Sequence, residues 1–291
     1  MSTFWRTGFG LAVALLIAIA SLSGCTRKQQ NDPPAQLAVV QELRKSAKSE
    51  SAATTQVAAT GTGWGTLKGR FVLDGAPGTP AKLDINKDIE VCGKHAIVDE
   101  SLVVGPNNGL ANVAVFLRNK TRVHDDVVAA AKTEVIYDNK GCRFEPHVLA
   151  VAIGQPVVIR NSDPVGHNSN GSPAGDKPFN PLVPADGGTY EYKFQRAQQK
   201  GVPVTCSIHP WMKGYILPRD NLYIAVTNDK GEFEIKNLPA GEELEIQLWH
   251  EKADNGLEAD SKWPKGRQKL KVVDKEILDL GEIKVSAAAF K

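Results

Sequence analysis

The sequence predicts an all-β chain. From about residue 63 onward, short runs rich in Val, Ile, Leu, Tyr and Phe recur, and turn pairs such as Asp74-Gly75 separate most of them. Helical periodicity is weak except near residues 36–49 and 125–131. Many short strands with frequent turns belong to sandwiches or barrels, not to βαβ folds. A chain of 291 residues is long enough for one large or two small domains with proper cores. Its 42% hydrophobic and 23% charged residues are ordinary globular composition. With 35 basic against 33 acidic residues and no basic stripe, nothing suggests a nucleic-acid partner.

Taken in order, the chain opens with Arg6 and an apolar stretch at residues 8–20, too short for a comfortable membrane span. Leu22-Ser23-Gly24-Cys25 follows. This resembles the lipobox of bacterial lipoproteins. The resemblance implies a signal peptide over residues 1–24, lipidation at Cys25, and attachment to a membrane on the periplasmic or extracellular face of the cell envelope. The alternatives are a plain secretory signal or an uncleaved anchor. Residues 25–62 are polar and Ala/Ser/Lys/Gln-rich and read as a flexible tether, with a short helix near 36–49. Such a tether spans on the order of 35 Å.

Strands are expected over residues 66–73 and 112–117, within an N-terminal β region at 63–131. Further strands fall at 132–137, 148–153, 155–160, 189–194 and 202–207, in a unit spanning 132–219 that carries the chemistry. The last unit, 220–291, holds strands at 222–227, 232–235, 243–249, 268–273 and 277–285. In it, a turn closing at Gly231 and the run Leu238-Pro239-Ala240-Gly241 resemble the second half of a carboxypeptidase regulatory-like domain. That implies a small transthyretin-like sandwich, whose first half 63–131 is placed to supply. The middle unit is then inserted into this sandwich or follows it.

The most informative stretch is Val204-Thr205-Cys206-Ser207-Ile208-His209-Pro210-Trp211-Met212. Met212 is the chain's one methionine besides the initiator. Upstream, Val157 to Arg160 leads through Asn161-Ser162-Asp163 to His167-Asn168. The Cys-x2-His-x2-Met spacing and the earlier His-Asn pair resemble the metal loops of cupredoxins, the plastocyanin- and amicyanin-like blue-copper proteins. The resemblance covers about 80 residues and implies a Greek-key sandwich. It also implies one type 1 copper held by His167, Cys206, His209 and Met212. Asn168 and Ser207 would tie the two ligand loops together. The residue types suit the metal: thiolate and thioether favour Cu(I), imidazole accepts either oxidation state, and a weak axial Met tunes the potential.

With Cys206 taken as a ligand, Cys92 and Cys142 remain as an even pair. We expect a disulfide between them in an extracytoplasmic protein, the alternative being two buried thiols. Cys92 also opens Cys92-Gly93-Lys94-His95, but no second half with zinc-like spacing follows. Of the other histidines, His147 is assigned a structural role or a contact with the ligands near the site, His124 a solvated position and His250 an edge strand.

Thr205 and Ser207 flank Cys206, so the His-Cys-His arrangement that serves a trinuclear copper cluster is absent. No Cys-x-x-Cys-His haem motif, serine elbow, Walker loop or paired-carboxylate signature stands out. This argues against an oxidase, and the cupredoxin resemblance implies non-enzymatic single-electron transfer with an unidentified redox partner protein. An exposed edge of His209 and an apolar rim of Pro210, Trp211, Ile216 and Leu217 would form the docking face. The alternatives are a carbohydrate- or protein-binding module with structural or no copper, and a copper-delivery protein.

Overall fold

The computed structural model describes residues 61–253 and 256–290. The expected signal peptide, the tether with its helix, and Cys25 lie outside the described residues. Two short α-helices occur among those described, at Ile89–Cys92 and Asp125–Ala130. The rest is β-structure, short 3-10 turns at Pro106–Asn108, Pro264–Gly266 and Ala287–Phe290, and loops.

In chain order the strands are β1 (Trp64–Asp74), β2 (Ala114–Leu117), β3 (Val135–Asn139), β4 (Phe144–Glu145), β5 (Val148–Ala152) and β6 (Val157–Asn161). Then follow β7 (His167–Asn168), β8 (Asn170–Gly171), β9 (Leu182–Val183), β10 (Thr189–Tyr192), β11 (Val202–Thr205) and β12 (Lys213–Arg219). The last are β13 (Ile224–Val226), β14 (Glu232–Pro239), β15 (Leu244–Trp249), β16 (Arg267–Leu270) and β17 (Ile277–Ser286).

Two sandwiches result. In the first, a sheet of order β14-β1-β17 faces one of order β13-β2-β15-β16. Strands from both ends of the described chain thus share sheets: β1 runs antiparallel to β14 and parallel to β17. β14 alternates, with Phe233 and Ile235 inward and Glu232, Glu234 and Lys236 outward, the pattern of a strand with one wet face. The preceding strand β13, in the facing sheet, leads into it through a turn where Gly231 takes φ +78, and a Cβ there would stand 2.1 Å from the Phe71 carbonyl oxygen. Only glycine satisfies both demands.

The second sandwich packs a sheet of order β10-β6-β3-β4 against one of order β5-β12-β11-β8, with the two-stranded β7-β9 at one end. β6 alternates, Val157 and Ile159 entering the core with Tyr137, Phe144, Phe194 and Ile216. Cys206 and Met212 belong to the same buried cluster.

The two sandwiches share a seam. β2 reads Ala-Val-Phe-Leu and is buried throughout. Val115 and Leu117 face the first core, while Ala114 and Phe116 pack with Val148, Tyr215, Leu217 and Trp249. A strand buried on both faces needs a continuous apolar run, not alternation.

Residues 63–131 divide between the two sandwiches. β1 and β2 pair with strands of the C-terminal region. Leu83, Ile85 and Ile97, on the segment between them, pack instead on the second core. Cys92 forms a disulfide with Cys142, so the Cys92-to-His95 stretch offers no thiolate to a metal.

Candidate metal centre

His167, Cys206 and His209 converge. One ligand atom from each lies within 4.8 Å of the others, and all three side chains are buried. They arrive by the route the folding dictates. β6 leads through the Asn161–Val165 turn, which the Asn161 amide closes by donating to the Val165 carbonyl at 2.8 Å, and delivers His167 on β7. β11 ends at Thr205, and the tight loop to β12 carries the rest. In that loop the Met212 N–H donates to the His209 carbonyl at 2.9 Å, and the Cys206 N–H to the Met212 carbonyl at 3.3 Å. Met212 is 1% exposed.

Asn168 joins the two loops. Its Oδ1 accepts from the Ser207 N–H at 2.7 Å and from the Ile208 N–H at 3.3 Å, and stands 3.4 Å from Cys206 Sγ. Its amide nitrogen is 3.4 Å from Ser207 Oγ. The backbone of the cysteine loop is thus held by a side chain from the histidine loop.

Each imidazole is oriented by a carboxylate. His167 Nε2 lies 2.9 Å from Asp163 Oδ2. Asp163 also accepts from the Gly141 N–H at 2.6 Å and the Cys142 N–H at 2.8 Å. Burial opposes its charge, yet these three donors hold its pKa below the usual carboxylate value. The carboxylate accepts a hydrogen bond from Nε2–H, so the neutral ring carries its lone pair on His167 Nδ1. That nitrogen is buried and has no hydrogen-bond partner. An orphaned, pre-aimed nitrogen beside a thiol is what a metal site leaves when only protein atoms are counted. His209 repeats the arrangement: Nδ1 is 3.6 Å from Cys206 Sγ, and Nε2 is 2.8 Å from Asp88 Oδ2.

The thiol is activated. Burial alone would raise its pKa, but the adjoining His167 and His209 imidazoles outweigh it and bring Cys206 from 9.0 down to about 6. A second cluster, Cys142, Asp163 and His167, is also within 4.8 Å, but the Cys142 sulfur is spent in the disulfide.

Two expectations about the docking face are overturned. His209 is fully buried: Asp88 covers its Nε2 edge, and Trp211 packs at 5.1 Å between ring centroids. Ile216 and Leu217 are 0% exposed because both faces of β12 are covered, by the second core and by the seam. His250 likewise lies buried just after β15, not on an edge strand.

Asp163 and Asp88 are the residues that sequence reasoning missed. Asp163 stands four residues before His167, a visible spacing. Asp88 is 121 residues from His209 and had no local signal.

No family model and no curated protein matches the chain. Among solved structures, it is similar to a copper-containing nitrite reductase from Thermus scotoductus SA-01, with 28% identity and a TM-score of 0.28. That match covers 30% of this chain and 22% of the reductase, so the chain spans about a fifth of that protein. It is also similar to amicyanin in a reduced Cu(I) mutant form and in an oxidized mutant form, at 19% and 18% identity. Each of these covers 36% of this chain and 98% of amicyanin, with a TM-score of 0.27.

Proposed function

We propose that the chain is a type 1 copper protein that passes single electrons between redox partners from a lipid-anchored position in the cell envelope. The observation that carries this reading is the buried, partnerless His167 Nδ1 beside the Cys206 thiol and His209.

In this reading His167 and His209 hold the metal through Nδ1 and Cys206 through Sγ, with Met212 as the weak fourth ligand. Bound copper supplies the one-electron chemistry, and two imidazoles with a thiolate are acceptable to both of its oxidation states. The protein's part is to keep the donors still. Asp163 and Asp88 fix the imidazole tautomers, Asn168 fixes the cysteine loop, and the core around Cys206 excludes water. Little then has to move when the charge of the centre changes. The Cys92–Cys142 disulfide supports an oxidising compartment, and Cys25 would supply the anchor.

The test is spectroscopic. Copper-loaded protein should be intensely blue with narrow copper hyperfine splitting, and Cys206→Ser should lose both. A colourless Cu(II) complex rejects the assignment. Fast loss of Cu(I) to a mild chelator would favour a delivery role instead.

A further inference from the structure

A third histidine is held in the same manner as His167 and His209, outside their cluster, beside a cavity that also reaches Met212. His147 lies between β4 and β5, and its side chain is 10% exposed. Its Nε2 is 2.5 Å from Glu251 Oε1. Glu251 comes from the segment after β15, so this contact crosses the seam between the sandwiches. Its side chain is 4% exposed, and its other oxygen faces Lys213 Nζ at 3.4 Å. Burial opposes the Glu251 charge, but His147 and Lys213 together hold its pKa below the ordinary value. The carboxylate accepts a hydrogen bond from Nε2–H, so the neutral ring carries its lone pair on Nδ1.

That Nδ1 is buried and without a hydrogen-bond partner. The nearest charged atom facing it is Glu100 Oε2, at 3.9 Å. The other oxygen of Glu100 takes Arg143 Nη1 at 2.7 Å, which fixes the carboxylate's orientation. Two electron-rich atoms thus face each other, too far apart for a hydrogen bond. Ligands about 2.0–2.2 Å from one divalent ion stand roughly 3–4 Å apart, so the gap fits a shared cation. Both residues line a cavity of about 400 Å³, along with Asp99, Ser101 and Lys213.

We propose that His147 Nδ1 and Glu100 Oε2, backed by Glu251, form an open site for a divalent transition-metal ion at the seam. The mixed imidazole and carboxylate donors suit zinc-like ions better than magnesium or calcium. The cavity leaves the remaining coordination positions to water or a small oxygen ligand. A carboxylate behind a ligating imidazole is worth roughly 10- to 100-fold in metal affinity.

The full-length protein, first loaded with copper, is titrated with Zn²⁺ by calorimetry. Copper outcompetes zinc for the Cys206 site, so that site stays filled. One further equivalent of Zn²⁺ is expected. His147→Ala should abolish it, and Glu251→Gln and Glu100→Gln should each weaken it at least tenfold, all three with the copper spectrum unchanged. The Cys206→Ser protein should still bind this equivalent, so the two metal assignments fail separately. Absence of the extra equivalent, or its survival in a folded His147→Ala variant, overturns the proposal.

Discussion

Asp88 Oδ2 sits 2.8 Å from His209 Nε2, on the imidazole edge that a partner would need to approach. Asp88 has a left-handed backbone (φ 44) and precedes the helix Ile89–Cys92, which the disulfide to Cys142 pins down. The His209 imidazole is therefore both oriented and covered by a distant segment. Asp88→Ala removes the carboxylate that fixes the tautomer. Because Asp88 is partly exposed, the expected loss of Cu(II) affinity is about tenfold, the low end for such partners. Chelator competition measures it, and an unchanged affinity would make the contact incidental.

In the metal-free protein, the Cys206 thiolate absorbance should titrate near pH 6. The folded pKa lies below the unfolded value of 9.0, so the folded state holds fewer protons between them. Stability from the thiolate is complete above pH 9 and is lost as pH falls toward 6. Cys206→Ser should flatten that part of the stability profile; a thiol titrating near 9 in the folded protein would contradict the influence of the two imidazoles beside it.

Asn168→Ala leaves the Ser207 and Ile208 N–H groups without their acceptor. Orphaned donors of this kind cost about 1–3 kcal/mol. Denaturant titration of the metal-free variant should show that loss. The copper hyperfine splitting should broaden as the cysteine loop loosens.

His250 contributes a separate acid sensitivity. Burial drives its pKa from 6.5 to about 4, and its Nδ1 accepts the Lys252 N–H at 3.3 Å, which requires the neutral ring. The unfolded chain takes up this proton first, so stability is complete above pH 6.5 and falls as pH drops toward 4. The loss is on the order of 3 kcal/mol. His250→Phe should remove this acid limb from a melting-temperature series run between these pH values.

Removing the disulfide by Cys92→Ser and Cys142→Ser opens a loop of sequence separation 50. Chain entropy puts the cost at about 4 kcal/mol. The measurement is the unfolding free energy with and without the bridge. The double variant should also exchange copper faster, since the segment carrying Asp88 loses its anchor.

What was legible in the sequence had local causes. Alternation at β6 and β14, and the short Cys206-to-Met212 loop, announce themselves because neighbouring residues answer to the same surface or site. The unread parts depend on long separations. His209 looked solvent-facing because nothing near it in sequence marks Asp88 as a cover. Ile216 and Leu217 looked like a rim because one strand's apolar run does not say how many of its faces are packed. His250 owes its burial to Phe290, 4.9 Å away between ring centroids, which no pattern around Trp249 signals.

The parallel pairing of β1 with β17 has a mechanical consequence. Tension drawn between residue 61 and the end of β17 pulls these two neighbours lengthwise past each other, so their rungs share the force instead of unzipping singly. The sandwich that holds His167, Cys206 and His209 lies off that path. A protein tugged by its ends would strain its outer sheet while His167 and Cys206 kept their spacing.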